Sequence, residues 1–89
     1  MVIPIDNFGD ILMSRPAGRE AFLMAKAYVL KEIDVNEEIT LDFDKIKVLA
    51  PSWADEFITG IKSEYINKIN FINTENPSVQ ASLKTVLEY

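Results

Sequence analysis

The chain has 89 residues, of which 48% are hydrophobic, and 9 basic and 14 acidic side chains give it a formal net charge of −5. This length predicts a single domain, residues 1–89, built around one hydrophobic core. Cysteine and histidine are both absent, which removes thiolate nucleophiles, the commonest general base and the usual zinc ligands. The composition therefore argues against an enzyme, against a metal site and against a bound cofactor.

The basic residues are scattered along the chain and form no run. Nucleic-acid binding requires a clustered basic face, so we expect no nucleic-acid partner. The segment Met1 to Asp6 lacks the pattern of a signal peptide, and no apolar run approaches the ~20 residues that span a bilayer. With cysteine also absent, we expect a cytoplasmic protein with no membrane partner.

Residues 2–13 predict a β-hairpin, in which two apolar runs flank the turn-forming residues from Asn7 to Gly9. Pro4 indicates that the first strand lies at a sheet edge, because proline cannot donate a ladder hydrogen bond. Ser14 is the predicted N-cap of a first helix, with Pro16 in its first turn, that continues to about Ile33.

The first helix carries two apolar stripes. The main stripe has 3.6-residue spacing and consists of Gly18, Phe22, Ala25, Val29 and Ile33. The glycine in it indicates close packing against the sheet. The second stripe comprises Leu23, Ala27 and Leu30. We favour a neighbouring helix as its cover, and the alternative is an interface with a partner or with a second copy of the chain.

The remainder of the chain alternates strands with helices. Residues 39–43 have the period of a half-buried strand, Val48 to Ala50 form a short apolar step, and residues 69–73 form the last strand. Ser52 is predicted to cap the second helix, and Asn76-Pro77 is predicted to start the third, which runs almost to Tyr89. The order ββαβαβα predicts an α/β fold with a four-stranded mixed sheet and three helices.

Several local strings together resemble a known family. They are Phe8-Gly9, Ser14-Arg15, Gly18-Arg19, Leu41-Asp42-Phe43, Pro51-Ser52-Trp53-Ala54-Asp55-Glu56-Phe57, Phe71-Ile72-Asn73 and Asn76-Pro77. This pattern is similar to the STAS-like domains of bacteria and archaea, relatives of anti-sigma-factor antagonists, and most of all to the STAS-like group with no assigned function. The resemblance implies a prokaryotic regulatory domain that binds a signalling protein, such as a histidine-kinase-like ATPase.

In the wider STAS family, the loop before the second helix carries a serine or threonine that a partner kinase phosphorylates, and the binding surface surrounds that loop. Ser52 is the hydroxyl that corresponds here, but the acid and the glycine of the family motif are missing. Ser52 could therefore be a phospho-acceptor or only a helix cap. We favour the cap, because Asp55 and Glu56 would repel a phosphate.

Two further sets of residues have a structural and a functional interpretation. Trp53 could anchor a partner beside Ser52, Asp55 and Glu56, or it could be a half-buried lid on the core. Arg15 and Arg19 lie where positive charge opposes the helix dipole, so they require a counter-charge. It could come from Asp42, Asp44 or Asp55 within the protein, which we favour, or from a bound anion.

The acidic residues Asp42, Asp44, Asp55 and Glu56 match no metal-binding motif, and no glycine-rich phosphate loop is present. The leading hypothesis is therefore a non-catalytic regulatory module that binds a protein and could also form a homodimer. The alternative is a domain that binds a small ligand, anion or nucleotide through the loops at the carboxyl ends of its strands.

Overall fold

The computed structural model describes residues 1–87. Within that range it contains five strands, which are β1 (Val2–Pro4), β2 (Ile11–Leu12), β3 (Ile39–Asp42), β4 (Val48–Leu49) and β5 (Ile69–Ile72). It also contains three helices, which are α1 (Arg15–Met24, continued by a π-helical segment Ala25–Val29), α2 (Pro51–Ala54, a π-helical segment Asp55–Thr59, then Gly60–Glu64) and α3 (Pro77–Leu87). The predicted end of the last helix near Tyr89 lies outside the described residues.

The strands form two separate parallel sheets. β3 lies between β1 and β5, with Leu41 opposite Ile3 and Phe71. β2 pairs with β4, with Leu12 opposite Leu49. The predicted four-stranded mixed sheet is therefore wrong in its strand count and in its direction of pairing. The alternation of strands and helices from β4 onward, and the α/β class, are confirmed.

The predicted hairpin over residues 2–13 is also wrong. A 3-10 turn, Ile5–Phe8, follows β1, and β2 pairs with β4 in a separate sheet instead of with β1. Ile5 lies in that turn and is completely buried. The apolar run from Val2 to Ile5 therefore ends in a core residue of the turn and not in a longer strand. β1 does form an edge of its sheet, as Pro4 predicted.

The core lies between the three-stranded sheet and the helices. Alternate strand residues such as Ile3, Ile39 and Leu41 are buried, whereas their neighbours Val2 and Thr40 are exposed or half-buried. The sheet residues therefore pack against the helices with one face, as the period-2 pattern predicted. α2 is the central helix of the layer, because it packs against both α1 and α3.

Two predicted helix starts are confirmed. Ser14 Oγ accepts a hydrogen bond from the backbone N–H of Ala17 at 3.3 Å. Asn76 Oδ1 accepts from the N–H groups of Ser78 at 2.7 Å and Val79 at 3.2 Å. Both caps satisfy backbone donors that a helix leaves unpaired in its first turn. None of the helices in residues 1–87 has both the length and the hydropathy that a membrane span requires.

Gly18 packs closely, but not against the sheet as predicted. A Cβ atom at this position would lie 2.6 Å from the backbone oxygen of Trp53 and 2.9 Å from its Cα. The missing side chain therefore allows the backbones of α1 and α2 to approach each other.

The predicted helix does not cover the second stripe of α1. Leu30 is buried, but Leu23 is 45% exposed and Ala27 is also exposed. Part of the stripe is therefore uncovered, and the alternative interpretation, an interface with a partner or with a second copy of the chain, stays a prediction.

Candidate functional site

The N-terminal ends of α1 and α2 meet in a small charged cluster. Arg15 Nη1 donates to Asp55 Oδ2 and to Glu56 Oε2, each at 2.8 Å. The predicted internal salt bridge is thus confirmed for Asp55, and Glu56 is an additional partner that the sequence analysis did not assign to Arg15. Asp42 and Asp44 do not take part.

The electrostatics of the cluster follow from these bonds. The hydrogen bond from Arg15, followed by one from Thr59 Oγ1 at 2.9 Å, lowers the pKa of Asp55 below its ordinary value. The bonds to Asp55 and then to Glu56 raise the pKa of Arg15. One cation faces two carboxylates, so a small anion at Arg15 would meet negative charge, and the geometry does not favour the predicted anion site.

Arg19 lies one turn further along α1 and is exposed. It forms no ion pair with the residues that the structure describes. The two arginines predicted as a pair therefore have different environments, and only Arg15 belongs to the charged cluster.

Ser52 is not the cap of α2. The helix begins at Pro51, and the capping residue is Ala50, whose φ of −81° and ψ of 142° are extended. Proline favours the first helical position and disfavours helical backbone in the residue before it, so it moves the helix start one residue ahead of the serine. Ser52 therefore lies within the first turn, half-buried.

A crevice of about 250 Å³ opens beside Ser52. Its walls come from the starts of α1 and α2 and from the C-terminal half of α3, and they include Arg15, Asp55 and Thr85. The structure thus brings three of the predicted site residues, Arg15, Ser52 and Asp55, to one depression. Glu56 joins them through its bond to Arg15.

Trp53 points into the protein and is only 2% exposed. Its ring stacks on Phe57 with centroids 5.0 Å apart and an interplanar angle of 15°, and it packs at a tilt on Phe8. It matches the lid interpretation rather than the exposed anchor, because a buried ring offers a partner almost no surface.

Asp42 and Asp44 form a local turn away from the charged cluster. The Asp42 carboxylate accepts from Asn73 Nδ2 at 2.8 Å and from the N–H of Asp44 at 2.9 Å, and these bonds lower the pKa of Asp42. Among residues 1–87, no three or more acidic side chains group in a way that could hold a metal ion.

An exposed apolar surface on α1 and β2 was only partly predicted from the sequence. It consists of Ile11, Met13, Leu23, Met24 and Tyr28, which we call the apolar surface, and each of these side chains is at least 45% exposed. The signal that could have revealed it was present, because Met24 and Tyr28 stand four residues apart on one helix face. Of the five residues of the apolar surface, only Leu23 belongs to the predicted second stripe of α1.

Buried polar residues that hold the fold together were also missed. Asn67 donates through Nδ2 to the carbonyl oxygens of Asp34 and Glu37, both at 2.8 Å. Ser82 is buried in α3 and donates to the carbonyl oxygen of Leu49. No periodicity marks such residues, since their role depends on a distant backbone segment.

A small parallel sheet whose buried residues pack against three helices defines a compact α/β domain. The family model described as the STAS-like domain of unknown function (DUF4325) matches residues 25–79. The chain therefore belongs to this STAS-like family, as its sequence pattern predicted. No curated protein matches the chain, and no solved structure matches it.

Proposed function

We propose that this domain is a non-catalytic regulatory module that binds a signalling protein through its apolar surface. The main support for this proposal is the exposure of large apolar side chains on α1, where Met24 is 55% and Tyr28 is 80% exposed. Contiguous exposed apolar side chains mark interaction sites, because covering them releases water from nonpolar surface. Membership of a STAS-like family supports a signalling partner, for which a histidine-kinase-like ATPase in a prokaryotic cytoplasm is our candidate.

Glu20 provides the polar part of the proposed interface, because it lines one depression together with Met13 and Met24. Interfaces combine an apolar centre with a polar rim that fixes orientation. The charged cluster lies on a different side of α1, since nine residues separate Arg15 from Met24 and place the two on opposite helix faces.

The test compares capture of proteins from native lysate by the wild-type domain and by Tyr28→Glu. We expect a stoichiometric partner to be retained by the wild type and lost by the variant, because a charge placed within the apolar surface opposes its burial. The matched control is Ala81→Glu, which adds the same charge at an exposed position of α3.

Circular dichroism should show the same fold for all three proteins, since both changed positions are exposed. A partner that Tyr28→Glu binds as tightly as the wild type does would contradict the proposal. Sedimentation of the purified domain tests whether a second copy of the chain covers the apolar surface instead. A dimer that Tyr28→Glu dissociates would show that the surface serves self-association.

A further inference from the structure

One edge of β2 has backbone groups that no strand covers. The N–H of Val48 donates to the carbonyl of Asp10 at 3.1 Å, and the N–H of Ala50 donates to that of Leu12 at 2.8 Å. Successive residues of a strand direct these groups to opposite sides. The N–H and C=O of Ile11 therefore point away from β4, and they make no backbone hydrogen bond elsewhere in residues 1–87.

The backbone groups on the outer edge of β4, in contrast, have hydrogen-bond partners. The N–H of Leu49 donates to Ser78 Oγ at 2.9 Å, and its carbonyl accepts from Ser82. Side chains of α3 thus occupy the backbone groups on that side of the two-stranded sheet. The contrast leaves β2 as the edge of this sheet that can still add a strand.

A groove of about 220 Å³ follows the free edge of β2. Its lining includes Ile11, Leu12 and Met13, three consecutive residues, but neither residue of β4. Because consecutive side chains point to opposite faces, a groove that touches all three runs along the edge and not over a face. The opposite wall is α1, which contributes Glu20 and Met24 among others.

We propose that the partner inserts an extended segment into this groove and adds it as a strand to the free edge of β2. The segment would bond to the Ile11 backbone, place apolar side chains against Met13 and Met24, and place a Lys or Arg beside Glu20. This inference rests on the proposed function and names the mode of binding and the chemistry of the partner.

Two features select an extended, basic segment. A helix satisfies its own backbone groups and would leave those of Ile11 to solvent, whereas a strand supplies a donor and an acceptor in register. Glu20 is the one charged side chain among the described residues of the groove, and the chain has a net charge of −5. A basic residue would therefore find a favourable partner and field here.

In the test, a phage-displayed library of random heptapeptides is selected for binding to the immobilised domain. The affinity of the enriched peptides is then measured by calorimetry. We expect alternating apolar residues with at least one Lys or Arg. Ile11→Pro should weaken binding about tenfold, because it removes the outward N–H and spares the ladder to β4. Ile11→Ala, which keeps that N–H, should weaken binding less.

Charge and backbone are tested separately. Glu20→Lys should weaken a basic peptide about threefold to tenfold, whereas Glu75→Lys, an equal change at an exposed residue outside the groove, should not. If Ile11→Pro perturbs the fold, the backbone contact is tested on the peptide instead. The selected peptide is then N-methylated at alternate backbone amides, in either of the two possible frames. One methylation frame should abolish binding and the other should not.

Several outcomes would overturn the inference. They are a selection that enriches no sequence, peptides that bind equally well in both methylation frames, and a domain that dimerises through Ile11. A lysate partner lost by Tyr28→Glu but bound normally by Ile11→Pro would remove this inference and leave the proposed function intact. A partner whose binding changes with neither Tyr28→Glu nor Ile11→Pro would contradict both this inference and the proposed function.

Discussion

Gly18 lies where α1 crosses α2, and the contact is with backbone atoms that cannot move aside. Gly18→Ala should therefore destabilise the protein by about 2 kcal/mol, although alanine favours the helix by about 1 kcal/mol over glycine. The added methyl group would start 2.6 Å from the Trp53 oxygen, so one helix must shift. Urea unfolding followed by Trp53 fluorescence measures the change.

The control for this substitution is Ala81→Gly, which changes helix propensity at an exposed position of α3 without altering a contact between helices. It should cost about 1 kcal/mol. A Gly18→Ala protein that is as stable as the wild type, or more stable, would contradict the close backbone approach.

The charged cluster predicts that the stability of the fold depends on pH in the acidic range. The pKa of Asp55 is lowered in the folded protein, so its bonds stabilise the fold above the pKa of the unfolded state. That contribution is lost as the pH falls through the lower, folded value. Arg15→Met should therefore reduce the loss of unfolding free energy measured between about pH 5 and about pH 2.

Some acid dependence should remain in that variant, because the pKa of Asp42 is lowered by separate bonds to Asn73 and Asp44. Arg19→Met removes a cation from the same helix that pairs with no acid among residues 1–87. Its pH profile should match the wild type. Equal profiles for the two arginine variants would contradict the assigned role of Arg15.

At the scale of elements, a π-helical segment explains why α1 departs from its predicted stripe. The N–H of Leu30 donates to the carbonyl of Ala25, five residues earlier, at 2.8 Å. This wider turn moves the buried side by one residue compared with an α-helix. Leu30 is consequently buried where the 3.6-residue period predicted Val29, which is 38% exposed.

The attachment of α3 to β4 depends on serine hydroxyls. Ser78→Ala should destabilise the protein by about 1–2 kcal/mol, because the N–H of Leu49 loses its acceptor in a half-buried place. Ser63→Ala is the matched control, since this exposed hydroxyl donates only within its own helix. Urea denaturation that gave the same stability for both variants would show that water replaces the Ser78 hydroxyl.

At the scale of the whole molecule, Ser52 tests whether binding is regulated separately from folding. A phosphate there would add a charge of about −1.5 to −2 beside Arg15 and Asp55 and would compete with Asp55 for the guanidinium. Ser52→Glu should therefore change partner affinity much more than Ser52→Ala changes unfolding free energy. Titration of the captured partner checks this, and equal affinities for the two variants would exclude a switch.

Much of the local structure was predictable from the residues, although the prediction of a hairpin over residues 2–13 was wrong. The caps at Ser14 and Asn76, the strand at residues 39–43 and the STAS-like pattern depend on neighbours within a few positions, and each was read correctly. Ser52 shows the limit of this approach. A serine before a helical run is usually a cap, but the adjacent Pro51 decided where the helix begins.

The sequence by itself determined the α/β class, the helical layer and the family, because period, capping and composition are local properties. Only the tertiary structure decided the strand partners, the partner of Arg15 among several acids, and the edge of β2 that remains open. Each of these depends on residues far apart in the chain, such as Ile11 opposite Val48. Parallel pairing has no connecting turn of its own, so no local signal specifies it.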